Sequence, residues 1–391
     1  MRKIIDECFF QIQNGANIKQ GKVDGGFPIT RIETIANDRF NRDRMGYAGI
    51  TDLSKYESYI LEDEDLLMSH INSMQYLGRT VLYKKQDDEI IIHGMNLLRL
   101  RANRDIIIPG YAKYYFYGHS FRSQLRNIMK KSVNQASFAV KDLKKIKMEI
   151  PCLREQQKLV QVLDKIQKII DVKTKEIAKF DELVSARFVE MFGDPITNSK
   201  LLPIEKIEER YFLKAGITTK AEDIHDYLKD KYEIPCYGGN GIRGYVENLS
   251  YEGCYPIIGR QGALCGNVQY ATGKFHATEH AVLVSILKND NTMWVYYMLK
   301  LMDLYRYHTG AAQPGLAVKK LNTIDVIVAD INLQNQFATF VHQVNKSKFV
   351  IHKFLYCTTH NTKSIIKPRL NTKESGKIRG RETTCRRILT F

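Results

Sequence analysis

The sequence lacks the uncharged apolar run of about 18 to 20 residues that a membrane span needs. Its N-terminus, MRKIIDECFFQIQNG, also lacks the apolar stretch of a secretory signal. The seven cysteines form no CxxC pair, which is typical of free thiols in a reducing compartment. We therefore expect a cytoplasmic protein without a disulfide and without a membrane partner.

Motifs of catalysis are scarce. The chain has neither the (N/D/S)PP(Y/F) segment of amino-methyltransferases nor a Walker lysine loop. Residues 239–244 fit the pattern GxGxxG, but YVENLSYEG follows and resembles a hairpin, whereas a dinucleotide fingerprint requires a helix there. A glycine loop that allows close approach of the backbone to a ligand is favoured over a cofactor loop.

His276, Glu279 and His280 fit the zinc-protease pattern HxxEH. The surrounding FHATEHAVLVSIL is rich in β-branched residues and is predicted to be one strand, in which positions four apart lie about 13 Å from each other. Such a pair cannot chelate one zinc ion. We predict no metal, no cofactor and no catalytic residue in this chain. The enzymatic alternatives are a zinc hydrolase that uses the two histidines and a self-sufficient methyltransferase.

What the sequence has in excess is positive charge. The formal net charge is +16 and the pI is about 9.3, which favours a polyanionic partner, and nucleic acid is the commonest one in a cytoplasm. The alternatives are a lysine-rich composition without functional cause and a coiled-coil scaffold protein whose basic charge is incidental.

One passage occurs twice. Residues 132–168 and 310–346 align without a gap at an offset of 178, with Gln156 matching Gln334 and Lys141 matching Lys319. A repeat of this length is too long for a solenoid unit and indicates a duplicated module of one domain and one helix.

Each copy leads into a heptad pattern of apolar residues. The first predicts a helix of about 39 residues, roughly 58 Å long, and a second stretch in phase with it supplies the natural partner for an antiparallel coiled coil. The predicted seam residues are Leu159, Leu163, Ile166, Ile170, Ile177, Phe180, Val184, Phe337, Val341, Val344, Ile351 and Leu355.

The whole pattern predicts an α+β fold with a pseudo-two-fold internal repeat, two globular domains joined by two long antiparallel helices. The first domain is residues 1–150, the long spacer helix 151–192, the second domain 193–328, the second spacer helix 329–356 and a basic irregular tail 357–391. Residues 89–100, 105–110, 251–259, 266–271 and 280–287 are predicted as strands, and 111–131 and 293–307 as helices.

Polar clusters occupy comparable places in the two domains. Arg reads guanine and Asn or Gln reads adenine through paired hydrogen bonds in the major groove, so a strand-and-loop edge that carries these residue types suits base readout. The DNA-binding candidates are Ser69, His70, Asn72, Gln75 and Arg79 in the first domain and Asn240, Arg243, Arg260, Gln261, Lys274 and His276 in the second, with Asn267 beside them.

Several ordered motifs resemble the specificity subunits of type I restriction-modification enzymes. They are IPxLxxQ at 150–156, VEMFGDP at 189–195, IIGRQGALCGNVQYATGKFHATEHAV at 257–282, MSHINS at 68–73 and TGAAQPGLAVKKL at 309–321. The resemblance covers residues 1 to about 355. The sequence departs from the family in its second helix, which is predicted to end near Leu355.

The resemblance implies a noncatalytic bacterial or archaeal subunit with two target recognition domains, each of which reads one half of a split sequence in double-stranded DNA. It also implies two modification subunits that bind S-adenosylmethionine and methylate adenine, and restriction subunits that use ATP and Mg. Because the candidate reading loops differ between the domains, the target should be asymmetric. The helix length would then fix the spacing of the half-sites.

Overall fold

The computed structural model describes residues 1–21, 26–132, 135–228, 231–310 and 314–365, except for the side chains of 359–365. These residues fall into two compact units. Unit 1 takes residues 1–173 together with the described residues after 352, and unit 2 takes residues 174–352. Among the described residues, no helix combines the length and the apolar character that crossing a membrane requires.

Unit 1 contains twelve short strands and four helices that precede the long one. Its strands are β1 (Arg2–Ile4), β2 (Phe9–Asn14), β3 (Gln20–Gly21), β4 (Phe27–Ile29), β5 (Gly46–Ala48), β6 (Leu66–Ser69), β7 (Ile71–Asn72), β8 (Thr80–Leu82), β9 (Leu97–Ala102), β10 (Lys130–Lys131), β11 (Ala136–Ser137) and β12 (Lys147–Glu149). Its helices are α1 (Ile5–Cys8), α2 (Pro109–Tyr117), α3 (His119–Ile128) and α4 (Val140–Lys144). Short 3-10 turns lie at Ile32–Asp38, Arg42–Arg44 and Glu57–Tyr59. The long helix α5 (Leu153–Phe192) follows.

After α5, unit 2 also begins with a strand, a short helix and a strand, and it also leads into a long helix. Its strands are β13 (Ile204–Lys206), β14 (Tyr211–Ala215), β15 (Ile234–Gly238), β16 (Gly241–Val246), β17 (Tyr251–Gly259), β18 (Val268–Ala277), β19 (Ala281–Ile286) and β20 (Asp325–Ile327). Its helices are α6 (Ile207–Arg210), α7 (Thr292–Leu301) and α8 (Val318–Asn322), and α9 (Ile331–Ile365) begins in it. The 3-10 turns are Ala221–Asp223 and Leu304–Tyr307.

The predicted internal repeat is confirmed by the sheet topology. The main sheet of unit 1 has the order β2-β9-β6-β8, and that of unit 2 has the corresponding order β14-β19-β17-β18, extended by β15-β16. In both units a two-stranded sheet, β1-β12 or β13-β20, lies where the domain meets its long helix. The N–H of Ile150 donates to the Met1 carbonyl at 2.7 Å, and the N–H of Val328 donates to the Pro203 carbonyl at 2.8 Å. The two donors are 178 residues apart, and each joins the end of its domain to the start.

The antiparallel pairing of α5 and α9 is visible in unit 2. The ring of Phe337 lies 5.3 Å from that of Phe188 and 5.9 Å from that of Phe192, and Lys348 donates to the Asp181 carboxylate at 2.6 Å. The later residue of α9, Lys348, contacts the earlier residue of α5, Asp181, so the two helices run antiparallel.

The predicted seam residues are all buried or half-buried, whereas the apolar residues of α5 outside the seam, such as Val162 and Leu183, are exposed. The seam prediction missed Phe188 and Phe192, which pack on Trp294 in the core of unit 2.

Helix α5 begins directly after Pro151 and Cys152, and it ends at Gly193, whose N–H donates to the Val189 carbonyl at 2.8 Å. The positive φ of Gly193, 79°, is the left-handed conformation that glycine provides at a helix C-terminus. Both ends therefore follow from single residues in the sequence.

Five predicted elements differ in the structure. Of the predicted strand 89–100, only residues 97–100 form a strand, as the first part of β9. The predicted helix 293–307 is α7, which ends at Leu301, followed by a separate 3-10 turn at Leu304–Tyr307. Residues 105–110 are a turn and the start of α2, not a strand, because Pro109 occupies the first helical turn and Ile107 packs into the core from that turn. The predicted helix 111–131 is two helices that meet at the extended residue Gly118, and it ends at Ile128 before β10. Residues 275–287 are two strands, β18 and β19, because a turn at Glu279 and His280 separates them.

The second spacer helix ends at Ile365, nine residues beyond the predicted end at 356. Apolar periodicity fades after Tyr356, but neither glycine nor proline occurs before Pro368. Loss of periodicity removes packing contacts, whereas a proline would remove a backbone hydrogen bond and a glycine would lower the helix propensity. The predicted tail residues 366–391 lie outside the described residues.

Candidate nucleic-acid interface

The first candidate loop joins β6 to β8 and spans residues 70–79; we call it loop 1. Its base is closed by two backbone hydrogen bonds of 2.8 Å each, from Ser69 N–H to the Arg79 carbonyl and from Gly78 N–H to the Ser69 carbonyl. Phe138 N–H donates to the His70 carbonyl at 3.2 Å and anchors the loop to the repeated segment. Gly78 has a φ of 71°, and a Cβ there would lie 2.5 Å from the Leu125 side chain.

The second candidate loop joins β17 to β18 and spans residues 260–267; we call it loop 2. Gly259 N–H donates to the Asn267 carbonyl at 2.8 Å, Gly266 N–H donates to the Gly259 carbonyl at 2.7 Å, and Leu316 N–H donates to the Arg260 carbonyl at 2.8 Å. These are the bonds of loop 1, and Leu316 is 178 residues after Phe138. Arg260 therefore occupies the position of His70, and Asn267 that of Arg79.

Three loop 1 candidates serve the loop itself. Ser69 is fully buried, and its hydroxyl donates to the Tyr76 carbonyl at 3.1 Å. His70 is also buried and lies edge-on to Phe138 with ring centroids 6.4 Å apart; burial lowers the pKa of its imidazole. Asn72 is half-buried and donates to the Ser69 hydroxyl at 3.3 Å.

Two loop 1 candidates lie toward the surface. Gln75 is exposed. Arg79 is half-buried, with its guanidinium 3.0 Å from the Asp38 carboxylate and 4.2 Å from the centre of the Tyr76 ring. Loop 1 thus presents Gln75 directly, while the ion pair holds Arg79 in a fixed position.

In unit 2 four candidates lie on loop 2 or on the β15–β16 hairpin beside it. Asn240 lies in the turn between β15 and β16 and accepts a hydrogen bond from the Asn267 side chain. Arg243 is exposed on β16, and Gln261 is exposed on loop 2 next to the half-buried Arg260. The GxGxxG segment therefore forms the turn and the first part of the second strand of the β15–β16 hairpin, and it opens no helix. The following residues 245–253 do not form the hairpin that their sequence resembles, because they join β16 to β17 and these two strands do not pair.

Glycine at positions 239 and 259 allows the backbone of the hairpin turn to lie close to the start of loop 2. A Cβ on Gly259 would lie 2.1 Å from the Gly239 carbonyl oxygen, and a Cβ on Gly239 would lie 3.1 Å from the His280 carbonyl oxygen. In this glycine segment the hairpin turn lies close to the backbone of its own chain.

The remaining two candidates lie elsewhere. Lys274 is exposed but pairs with Glu252, near the end of the β17–β18 ladder away from loop 2. His276 is buried, with Nε2 2.8 Å from the Thr219 hydroxyl and Nδ1 bonded to the Ser250 hydroxyl, and burial lowers its pKa. Its two ring nitrogens are engaged in this internal network. Among the described residues no group of three or more His, Cys, Asp or Glu is arranged to hold a metal ion.

Two exposed lysines beside loop 1 were not among the candidates. Lys130 and Lys131 form β10, which pairs with β11, and β11 pairs with β7 of loop 1 at Asn72. The adjacent pair of lysines directly before the repeated segment was the available signal.

Two copies of one α+β domain, each with a hydrogen-bonded polar loop and each leading into a long helix, define the class: a duplicated two-domain protein with paired loops. The chain belongs to the type I restriction modification DNA specificity domain family, whose model matches residues 7–181 and 213–355.

Curated relatives include the type I restriction enzyme EcoprrI specificity subunit of Escherichia coli, 35% identical over 251 residues, and the putative MjaX specificity subunit of Methanocaldococcus jannaschii, 32% identical over 198 residues. These matches cover 59% and 51% of this chain, and they span 60% and 46% of the relatives' lengths.

Two solved structures share the fold. One is the type I restriction-modification S subunit from M. genitalium, with a TM-score of 0.52 and 15% identity, covering 94% of this chain and 95% of that one. The other comes from work on complex assembly and conformational transition of the type I R-M system, with a TM-score of 0.54, 12% identity and coverage of 94% and 96%.

Proposed function

We propose that the chain is the noncatalytic specificity subunit of a type I restriction-modification complex, in which each domain reads one half of an asymmetric bipartite DNA target. The observation that carries this proposal is that loops 1 and 2 share the same backbone hydrogen bonds but carry different side chains at equivalent positions. We call these shared hydrogen bonds the frame. His70 in loop 1 occupies the position that Arg260 occupies in loop 2, and Arg79 occupies the position of Asn267. A common frame with different hydrogen-bonding groups is what two readers of different sequences require.

Charge supports a nucleic acid as the ligand. The net charge of +16 would strengthen binding to phosphates, and Lys130 and Lys131 lie on the small sheet that carries loop 1. Phosphate contacts fix the register of the protein on a duplex, so that Gln75, Arg243 and Gln261 can reach base edges.

The helices support a fixed half-site spacing. Helix α5 is 40 residues long and α9 is 35 residues long, and they pair antiparallel in unit 2. In this proposal the pair separates the two readers by a set distance, and the bases between the half-sites are left unread.

Exposed apolar residues on α5 support docking of further subunits. Val162, Ile169 and Leu183 recur at multiples of seven and are exposed, as are Val172 and Val189. Apolar residues aligned on one side of a helix are typical of a protein–protein contact. In this proposal two modification subunits dock there and supply S-adenosylmethionine and adenine methylation, and restriction subunits supply ATP- and Mg-dependent cleavage in the cytoplasm.

Co-expression with the modification subunit tests the function. Single-molecule sequencing of methylated adenines should reveal one asymmetric bipartite motif, and the purified chain alone should transfer no methyl group. Arg243→Ala should relax preference in one half-site only and Gln75→Ala in the other half-site only. Methylation without sequence preference would contradict the proposal, and DNA affinity that does not fall with salt would favour the scaffold alternative.

A further inference from the structure

Both loops present a large apolar side chain to solvent at the same position. Tyr76 is 40% exposed in loop 1 and Leu264 is 53% exposed in loop 2. The Tyr76 carbonyl accepts the Arg79 N–H at 3.1 Å, and the Leu264 carbonyl accepts the Asn267 N–H at 3.2 Å. The two residues are therefore structural equivalents, although the loops differ in length and sequence.

The residues that follow are equivalent as well. Leu77 and Cys265 are each 2% exposed and anchor the loop in its domain. Gly78 and Gly266 come next, with φ values of 71° and 83°. A buried anchor followed by a left-handed glycine reverses the chain, so the residue before the anchor is directed outward.

Each exposed side chain has neighbouring contacts that support it, from side chains around Tyr76 and from backbone hydrogen bonds around Leu264. The Arg79 guanidinium lies 4.2 Å from the centre of the Tyr76 ring and is itself held by Asp38. Around Leu264, Cys265 N–H donates to the Gly262 carbonyl at 3.0 Å, and Gly262 N–H donates to the Pro314 carbonyl at 2.9 Å. A rigid support reduces the entropy lost when an apolar side chain is buried by a ligand.

We propose that Tyr76 and Leu264 are wedge residues, each of which inserts against the face of a base at one unstacked step of its half-site. The inference rests on the proposed function. A leucine side chain offers no hydrogen bond, and duplex DNA offers apolar surface mainly at base faces and at the thymine methyl group. The base face is favoured because the Tyr76 ring already stacks on a guanidinium, so a base continues the stack.

The test uses the complex of the full chain with its modification subunits and a duplex that carries the sequence methylated by that complex. 2-Aminopurine, whose fluorescence rises on unstacking, replaces each adenine in turn. The wild-type complex should give a rise at one step in each half-site. Tyr76→Ala should abolish the rise in one half-site only and Leu264→Ala in the other only, each with a loss of affinity of roughly 10-fold to 100-fold.

Matched controls are Leu201→Ala in unit 2 and Phe10→Ala in unit 1, whose side chains are 89% and 73% exposed and lie outside the loops. Both should leave fluorescence and affinity unchanged. Unchanged fluorescence and affinity in Tyr76→Ala and Leu264→Ala would overturn the wedge while leaving sequence-specific binding intact. A loss reproduced by replacing thymine with uracil, without any 2-aminopurine signal, would overturn it in favour of a methyl contact. A wild-type complex without sequence preference would overturn the proposed function and the wedge together.

Discussion

Gln156 and Gln334, 178 positions apart, make equivalent hydrogen bonds at the starts of the two long helices. Each side-chain oxygen accepts a backbone N–H at 2.8 Å, from Ile108 in unit 1 and from Asn291 in unit 2. Each amide nitrogen donates at 3.0 Å to a carbonyl five residues earlier, that of Pro151 or Ala329. Both side chains are fully buried. The repeated glutamine thus links the first turn of each long helix to the residue that directly precedes another helix. That residue is Ile108 before α2 in unit 1 and Asn291 before α7 in unit 2.

Replacing either glutamine should destabilise its own unit. In Gln334→Ala the Asn291 N–H and the Ala329 carbonyl lose a buried partner, which costs about 1 to 3 kcal/mol per group. Denaturant unfolding measures the loss, and hydrogen exchange should place it in unit 2. Gln343→Ala, an exposed position on the same helix, should change stability by less than about 0.5 kcal/mol. Equal effects of Gln334→Ala and Gln343→Ala would show that the buried hydrogen bonds of Gln334 do not contribute to the free energy of unfolding.

The internal repeat could be detected from the sequence because some repeated residues have structural roles that only one residue type fills. Gln156 and Gln334 are the strongest case, and the heptad seam is a second, since its period reports the buried face directly. Residues 105–110 were misassigned because three consecutive isoleucines satisfy a buried turn as well as a strand. The burial of His276 was not predictable, since its partners Thr219 and Ser250 lie 57 and 26 residues away.

The polar composition of the sequence indicated two candidate loops, but it did not indicate which of their side chains are exposed. Loops 1 and 2 were chosen as candidates on polar composition, but composition does not distinguish Ser69, which supports the loop, from Gln75, which is exposed. Tyr76 and Leu264 were not among the candidates because a single apolar residue in a loop has no distinguishing sequence pattern. Their equivalence becomes evident only through the hydrogen bonds of the two loops.

Pairing of the helices in unit 2 should depend on Phe337 and little on the ion pair. Phe337 is fully buried against Phe188 and Phe192, so Phe337→Ala should cost about 3 to 5 kcal/mol. Lys348→Ala removes a partly exposed contact with Asp181 and should cost less than about 1 kcal/mol. Leu333→Ala, an exposed position on α9, is the control in denaturant unfolding. A larger loss in Lys348→Ala than in Phe337→Ala would contradict this assignment.

Stability should fall as the solution becomes acidic, partly because of His93. Burial, reinforced by the charge of Arg99, lowers the pKa of His93 to about 3. Below the unfolded-state pKa of about 6.5 the unfolded chain binds a proton that the folded chain excludes, so stability is lost progressively as the pH falls from about 6.5 toward 3. Between pH 6.5 and 4.5 the loss should be about 2 to 3 kcal/mol.

His93→Gln should flatten this dependence, measured as the free energy of unfolding at several pH values, because the group that titrates only in the unfolded state is gone. His119→Gln, at an exposed position, should retain the wild-type slope. An unchanged slope in His93→Gln would mean that other groups, such as Glu89 with its pKa lowered to about 2 by Arg42, account for the acid sensitivity.

Salt dependence should separate the lysines beside loop 1 from the groups that read bases. If Lys130 and Lys131 each neutralise one phosphate, the slope of log affinity against log salt should become shallower by about 0.9 per lysine in Lys130→Gln and Lys131→Gln, and by about 1.8 in the double variant. The methylated sequence should stay the same, because phosphates carry no sequence information. The double variant Lys165→Gln, Lys168→Gln removes the same charge from exposed positions on α5 and should leave the slope nearly unchanged. Equal slopes in the two double variants would mean that net charge alone attracts the duplex. The sheet formed by β10, β11 and β7 would then not belong to the DNA interface.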